Sequence, residues 1–178
     1  MKRFLSVAII LLICCSLLAC STFGTGLKDP VTFYYPRSIT TYGQEDSIIS
    51  SEFREASGHA NDLEYLISLY LHGPMDDSMV SPFPQGTRLI SLKQNDGILY
   101  LTLSDSFANQ SSLDLSIACA CLSKTCFELC AVEQVEIRTE NIPLSNTQVI
   151  VMTKNNVQFY DNSAQNNSVS NPTQEDRE

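Results

Sequence analysis

Two stretches decide the order of elements: Leu63-Glu64-Tyr65-Leu66-Ile67-Ser68-Leu69-Tyr70-Leu71-His72-Gly73-Pro74, and the run from Arg88 to Leu103 centred on Asn95-Asp96-Gly97. In the first, Leu63, Leu66, Ile67, Tyr70 and Leu71 recur at i, i+3, i+4, i+7 and i+8, the spacing of one helix face. Asp62 and Glu64 stand near the positive end of that helix, and Gly73 followed by Pro74 stops it. Pro74, Pro82 and Pro84 then predict an extended connection over residues 75–86. In the second stretch, β-type runs at 88–93 and 98–103 flank Gln94-Asn95-Asp96-Gly97, and Asp-Gly between alternating apolar residues predicts a tight hairpin. Strand alternation sends Leu99, Leu101 and Leu103 to the core and Tyr100 and Thr102 away from it.

Working outward, Val31-Thr32-Phe33-Tyr34-Tyr35 is β-branched and aromatic and ends at Pro36, a strand; residues 47–54, with Ile48, Ile49 and Phe53, read as a second. On the C-terminal side, Ser111 or Ser112 caps a helix running to about Leu129, residues 132–139 resume alternation, and 149–153 with 157–160 read as a terminal hairpin. The expected fold is α+β: two helices packed on one small mixed or antiparallel sheet, a single domain over 31–140 with a C-terminal hairpin extension at 141–160.

The chain has 178 residues, 20 acidic against 11 basic, a formal charge of −9 and 43% hydrophobic residues. Nucleic-acid affinity is built from Lys and Arg that release counterions, so this balance excludes a phosphate-backbone binder and argues against a polybasic membrane patch. Residues 1–19 read as an export signal, because Lys2 and Arg3 precede an uncharged run over 4–19 that is short for a membrane span of about 20 residues. Leu17-Leu18-Ala19-Cys20 resembles the bacterial lipobox, which makes Cys20 the expected lipidation site, acylated with palmitate-type chains on the extracytoplasmic face of the cell membrane. More than one chain matters there, since a single acyl group binds a bilayer only marginally. Cleavage before Cys20 leaves 9 basic residues against 20 acidic, a net charge of −11. Residues 20–30 then form the lipidated cysteine and its tether, and the Asn, Ser and Gln of 161–178 predict a disordered tail.

Gly73-Pro74 closing a leucine-rich helix, Ser81-Pro82-Phe83-Pro84-Gln85-Gly86-Thr87, Leu89 to Leu92, Asp96-Gly97 and Leu99 to Leu103 with Ser104 occur in one order. Glu52-Phe53-Arg54 precedes them and Val135-Glu136-Ile137 follows. This arrangement resembles the GerMN domain, the sporulation and spore germination module of bacterial lipoproteins. The resemblance implies a small α+β module related in shape to domains that build envelope-spanning rings, with no catalytic residue set. Its best-known members carry two copies, whereas this chain has room for one.

Cys119, Cys121, Cys126 and Cys130 have a spacing that invites a zinc site. On a helix, however, Cys121 lies about 200° round from Cys119, and Cys119, Cys126 and Cys130 align over about 16 Å, too far for one ion. The favoured reading is a core face shared with Leu115 and Leu122, with Cys121 the most accessible thiol; a disulfide and a metal are the alternatives. His59 and His72 bracket the first helix and are too far apart for one site. Asp76-Asp77 and Asn95-Asp96 offer calcium-type oxygens but equally suit turns. No metal, cofactor or catalytic residue is expected. The functional expectation is a non-enzymatic membrane-anchored lipoprotein whose module assembles with envelope proteins, with sporulation or germination as the setting that the resemblance implies. The alternative is an extracytoplasmic binding module for a cell-wall or small-molecule ligand, with Tyr34, Tyr35, Tyr42 and Tyr100 as a stacking platform.

Overall fold

Residues 29–38 and 48–157 are described by the structure, a computed structural model. Strands β1 (Pro30–Pro36) and β2 (Ile49–Glu55) pair antiparallel, with Phe33 opposite Glu52. Helix α1 (Leu63–Leu71) follows, its N-terminus capped by the Asp62 carboxylate, which accepts from Tyr65 N at 3.0 Å. Leu66, Ile67, Tyr70 and Leu71 are buried, as the spacing predicts. Gly73 ends the helix at φ +93°, a backbone conformation that a side chain would strain.

Strands β3 (Leu89–Asn95) and β4 (Ile98–Leu103) form the expected hairpin. Both turn residues have positive φ, Asp96 at 50° and Gly97 at 76°, the type I′ geometry that matches strand twist. A short 3₁₀ turn (Asp105–Ala108) and helix α2 (Ser112–Leu129) lead to β5 (Gln134–Thr139), which lies parallel to β4. A parallel pair needs such a crossover, and α2 provides it. Ser111 caps α2, accepting from Asp114 N at 3.2 Å while its hydroxyl donates to the Asp114 carboxylate at 2.6 Å. Strand β6 (Ile150–Thr153) completes a four-stranded mixed sheet in the order β3-β4-β5-β6.

The class is α+β, with two α-helices, but the strands divide between a two-stranded and a four-stranded sheet instead of forming one. The cause lies on the free edge of β1. There Thr125 of α2 accepts from Tyr34 N at 3.0 Å, the Tyr70 hydroxyl of α1 donates to Tyr34 O at 2.7 Å, and Val80 N donates to Pro36 O at 2.9 Å. Two side chains and the backbone at Val80 thus occupy groups that a third strand would need, and the smaller sheet stops. Of the expected terminal hairpin, 150–153 pairs with β5 in an antiparallel register, while 158–160 lie outside the described residues.

Helix α2 packs against β1 on one side and β5 and β6 on another. Its burial therefore extends well beyond one stripe: Leu115, Ala118, Cys119, Ala120, Cys121, Leu122, Ser123, Thr125 and Cys126 are all buried. This corrects the accessibility expected of the thiols, since Cys121 is fully buried and Cys130, at the helix end, is the most open. An aromatic knot joins the halves of the core, with the Tyr70 ring 5.3 Å from Phe33, 4.8 Å from Tyr35 and edge-on to Phe83 at 5.1 Å.

Candidate functional site

Alternation gives the four-stranded sheet two unlike faces. Leu99, Leu101, Leu103, Val135 and Ile137 point inward and are fully buried. The opposite face carries the rows Lys93-Tyr100-Glu136 and Ser91-Thr102-Arg138 across β3, β4 and β5. The pairing of β3 with β4 slips register between Leu89 and Ser91, a bulge at the start of β3. The face holds a shallow depression of about 700 Å³ whose lining includes Ser91, Lys93, Tyr100, Thr102 and Arg138. Lys93 and Arg138 are exposed and Tyr100 is half-buried. Arg138 lies over Thr102, donating from Nε to its hydroxyl at 3.1 Å, and Gln134 donates to the Glu136 carboxylate at 2.9 Å. The arrangement can stack a flat or ring-shaped group on Tyr100 and hydrogen-bond and neutralise an anion beside it.

A second constellation is built into β2. Glu52 and Arg54, two residues apart on the inner face, form a buried ion pair at 3.1 Å. Arg54 also donates to Gly73 O at 2.5 Å, and Glu52 accepts from Met75 N at 2.8 Å and Asp76 N at 3.1 Å. The guanidinium lies 5.7 Å from the Phe33 ring centroid. Together they close the chain just past α1 onto β2: the cation takes a carbonyl left over at the helix end, and the anion takes the next two amides. This pair is architecture: it fixes the end of α1 against β2.

Among the other residues singled out from the sequence, Cys20 and Tyr42 lie outside the described residues, as do the signal segment 1–19 and the tail 161–178. Cys119, Cys121, Cys126 and Cys130 carry free thiols. Burial pushes the Cys119 and Cys121 thiols up to about 12, and that of Cys126 well above the ordinary value. A thiol held neutral in this way is a poor nucleophile. The tyrosines do not share a platform. Tyr35 is buried because its ring belongs to the aromatic knot, with its hydroxyl donating to Tyr70 O at 2.8 Å. Tyr34 lies beneath Lys124, whose Nζ is 4.7 Å from the ring centroid, and Tyr100 belongs to the other sheet. His59 pairs with Asp62 at 3.7 Å and stacks on Tyr65 at 4.2 Å, while His72 caps the far end of α1 with Nδ1 2.7 Å from Ser68 O. Asp76 takes Ser78 N and Asp96 takes the Asn95 amide, the local bonds of turns. Among the described residues no group of three or more His, Cys, Asp or Glu side chains is placed to hold a metal ion, and no helix is long and apolar enough to cross a membrane.

Two capped helices, a divided set of strands and a polar open sheet face define a small α+β module. The chain belongs to the Germane family, described as sporulation and spore germination, whose model matches residues 32–145. That family is not a known enzyme family. Solved structures similar to the chain include a candidate lipoprotein from Clostridium perfringens, 18% identical, with 71% of this chain and 88% of that one covered at a TM-score of 0.47. The tandem GerMN domains of the Bacillus subtilis sporulation protein GerM are also 18% identical, with 68% of this chain matched to 43% of that one at a TM-score of 0.49. The first GerMN domain of the same protein is 14% identical, with 67% and 90% covered at a TM-score of 0.47. No curated protein sequence matches.

Proposed function

We propose that this protein is a lipid-anchored module of the cell envelope, without catalytic activity, that assembles with other envelope proteins at the extracytoplasmic face of the membrane. The observation that carries this reading is Leu17-Leu18-Ala19-Cys20 at the end of an uncharged run. Acyl chains on Cys20 would hold the chain to the bilayer, and the intervening residues 21–29, at about 3.5 Å each when extended, would keep β1 within about 35 Å of it. Family membership supports an assembly role in sporulation or germination, and the match to a candidate lipoprotein agrees with the anchor. The buried thiols, raised well above their ordinary pKa, support the non-catalytic part, since they remove the strongest nucleophiles of the domain.

The test is metabolic labelling with a fatty-acid analogue combined with membrane fractionation and in-cell cross-linking. Wild-type protein should take up label, sediment with membranes and cross-link to envelope proteins, whereas Cys20→Ala should be unlabelled and released. Label retained by Cys20→Ala would defeat the anchor, and a wild type that cross-links to no envelope protein would defeat the assembly role.

A further inference from the structure

We infer that the open face of the four-stranded sheet is a binding site for an anionic sugar polymer, with Tyr100 as the stacking surface and Lys93 and Arg138 as the anion partners. Of the proposed function, this inference uses only the extracytoplasmic location.

Charge placement carries the inference. In a chain of net charge −9, this face presents two cations that have no ion-pair partner among the described residues. One carboxylate shares the face, Glu136, in the row of Tyr100 and two residues from Arg138; it keeps its charge while accepting from Gln134, so the two cations outnumber it and the face is positive by one in a strongly acidic chain. Arg138 gives Nε to Thr102, and since a guanidinium has five donors, its terminal N–H groups remain for an incoming anion. At physiological salt the Debye length is about 8 Å, so acidic groups elsewhere on the surface do little to cancel the local field.

The register sets the shape of the ligand. Lys93 lies directly across from Tyr100, and Arg138 lies one strand beyond Tyr100 and one row along. From strand and residue spacings the two cations stand about 12 Å apart at the backbone, with Tyr100 and Thr102 between them. Anions separated by a flat, hydroxyl-bearing ring fit that spacing. The half-buried Tyr100 ring meets the ring's C–H face, and Ser91 and Thr102 offer hydroxyls beside it. Nucleic acid demands a longer basic track than two residues supply. A protein partner would call for the apolar anchors of an interface core, and this lining is mainly polar.

The anion can be a sugar carboxylate or a phosphodiester, and affinity electrophoresis of the full-length chain in detergent separates them. Gels contain polygalacturonate, a phosphomannan whose sugar rings are joined by phosphodiesters, or neutral dextran. Retardation by either anionic polymer and not by dextran is the expected result, and the polymer that retards identifies the anion. Lys93→Ala/Arg138→Ala should weaken the retardation about tenfold, the worth of two exposed ion pairs. The charge-conserving Lys93→Arg/Arg138→Lys should retain it, and Tyr100→Phe should bind where Tyr100→Ala does not. No retardation by either anionic polymer, equal retardation by dextran, or undiminished retardation of the double alanine variant would each overturn the inference. In-cell cross-linking of the double alanine variant keeps the two ideas separate: assembly with envelope proteins should persist in it, and loss of label in Cys20→Ala bears on the anchor alone.

Discussion

Replacing Arg54 with Met should be among the most damaging single changes in the domain. The Glu52 and Arg54 side chains are 9% and 8% exposed, so removing the cation strands a carboxylate in a site with little access to water. Breaking a buried pair from one side costs about 3 to 5 kcal/mol. Two features move the expected value within that range. Glu52 keeps the Met75 and Asp76 amides, which still satisfy one carboxylate oxygen, whereas Gly73 O loses its donor at a cost of about 1 kcal/mol. The net expectation is about 3 to 4 kcal/mol, a large part of a stability of roughly 5 to 15 kcal/mol. Urea unfolding followed by circular dichroism would read it as a lower midpoint at unchanged slope. Glu52→Gln keeps an amide oxygen for the two backbone donors but leaves the buried guanidinium with Gly73 O and no counter-charge, so alone it should cost about 2 to 3 kcal/mol. Combined with Arg54→Met it should recover about 1 to 2 kcal/mol, because the stranded charge is gone. An Arg54→Met variant within 1 kcal/mol of wild type, or a double variant no more stable than Arg54→Met, would refute the assignment of this pair as the clamp behind α1.

In native protein a maleimide should modify Cys130 first and reach Cys119, Cys121 and Cys126 only on unfolding; early labelling of Cys121, read by mass spectrometry, would contradict the two-sided burial of α2. Because folding raises these thiol pKa values, their contribution to stability is complete below the ordinary thiol range and is lost as pH rises through it towards about 12, so denaturant midpoints should fall on that limb. Gly73→Ala should cost about 2 kcal/mol of stability and lower the urea midpoint accordingly, since φ is +93° and the new Cβ would sit 3.2 Å from Ser81 Cβ; a neutral result would mean the turn can rearrange. Asp105 accepts from Asn141 N and Nδ2, each at 2.9 Å, and from Ile142 N, and the Asn141 side chain leads in holding its carboxyl below the ordinary range. Asp105→Ala should therefore lower the protection of the Asn141 and Ile142 amides against exchange, and acidification of the wild type through that lowered pKa should lower the same protection, measured against the intrinsic rate at each pH.

Local chemistry made most elements legible before the structure. Asp96-Gly97 announces its turn because few other pairs accept two positive φ values, and α1 declares itself because it buries one face. Helix α2 is different. Its second buried face is written in Ser123 and Thr125, which look solvent-facing by composition, so a one-stripe reading sends Cys121 outward. Thr125 is buried because its hydroxyl serves the edge of β1, and neither residue signals the other across the intervening chain. The same limit hid the buried role of Glu52 and Arg54, since charged residues on a short strand ordinarily face water. For the candidate binding face, alternation identified Tyr100 and Thr102 as outward, but bringing Lys93 and Arg138 to either side of them required the parallel register of β5.

The helical cover on the free edge of β1 also sets a timetable. Thr125 lies 91 residues after the Tyr34 amide it accepts, so a chain emerging N-terminus first, from a ribosome or an export channel, presents β1 long before its lid exists. During that interval the uncovered edge can pair with any extended segment that passes, including the same strand of a neighbouring molecule. Contacts of such sequence separation also form late, which lengthens the exposure. Yield in the cell then depends on how well this one strand is chaperoned during synthesis, and a variant at Thr125 should lower recovery of folded protein by more than its loss of stability accounts for.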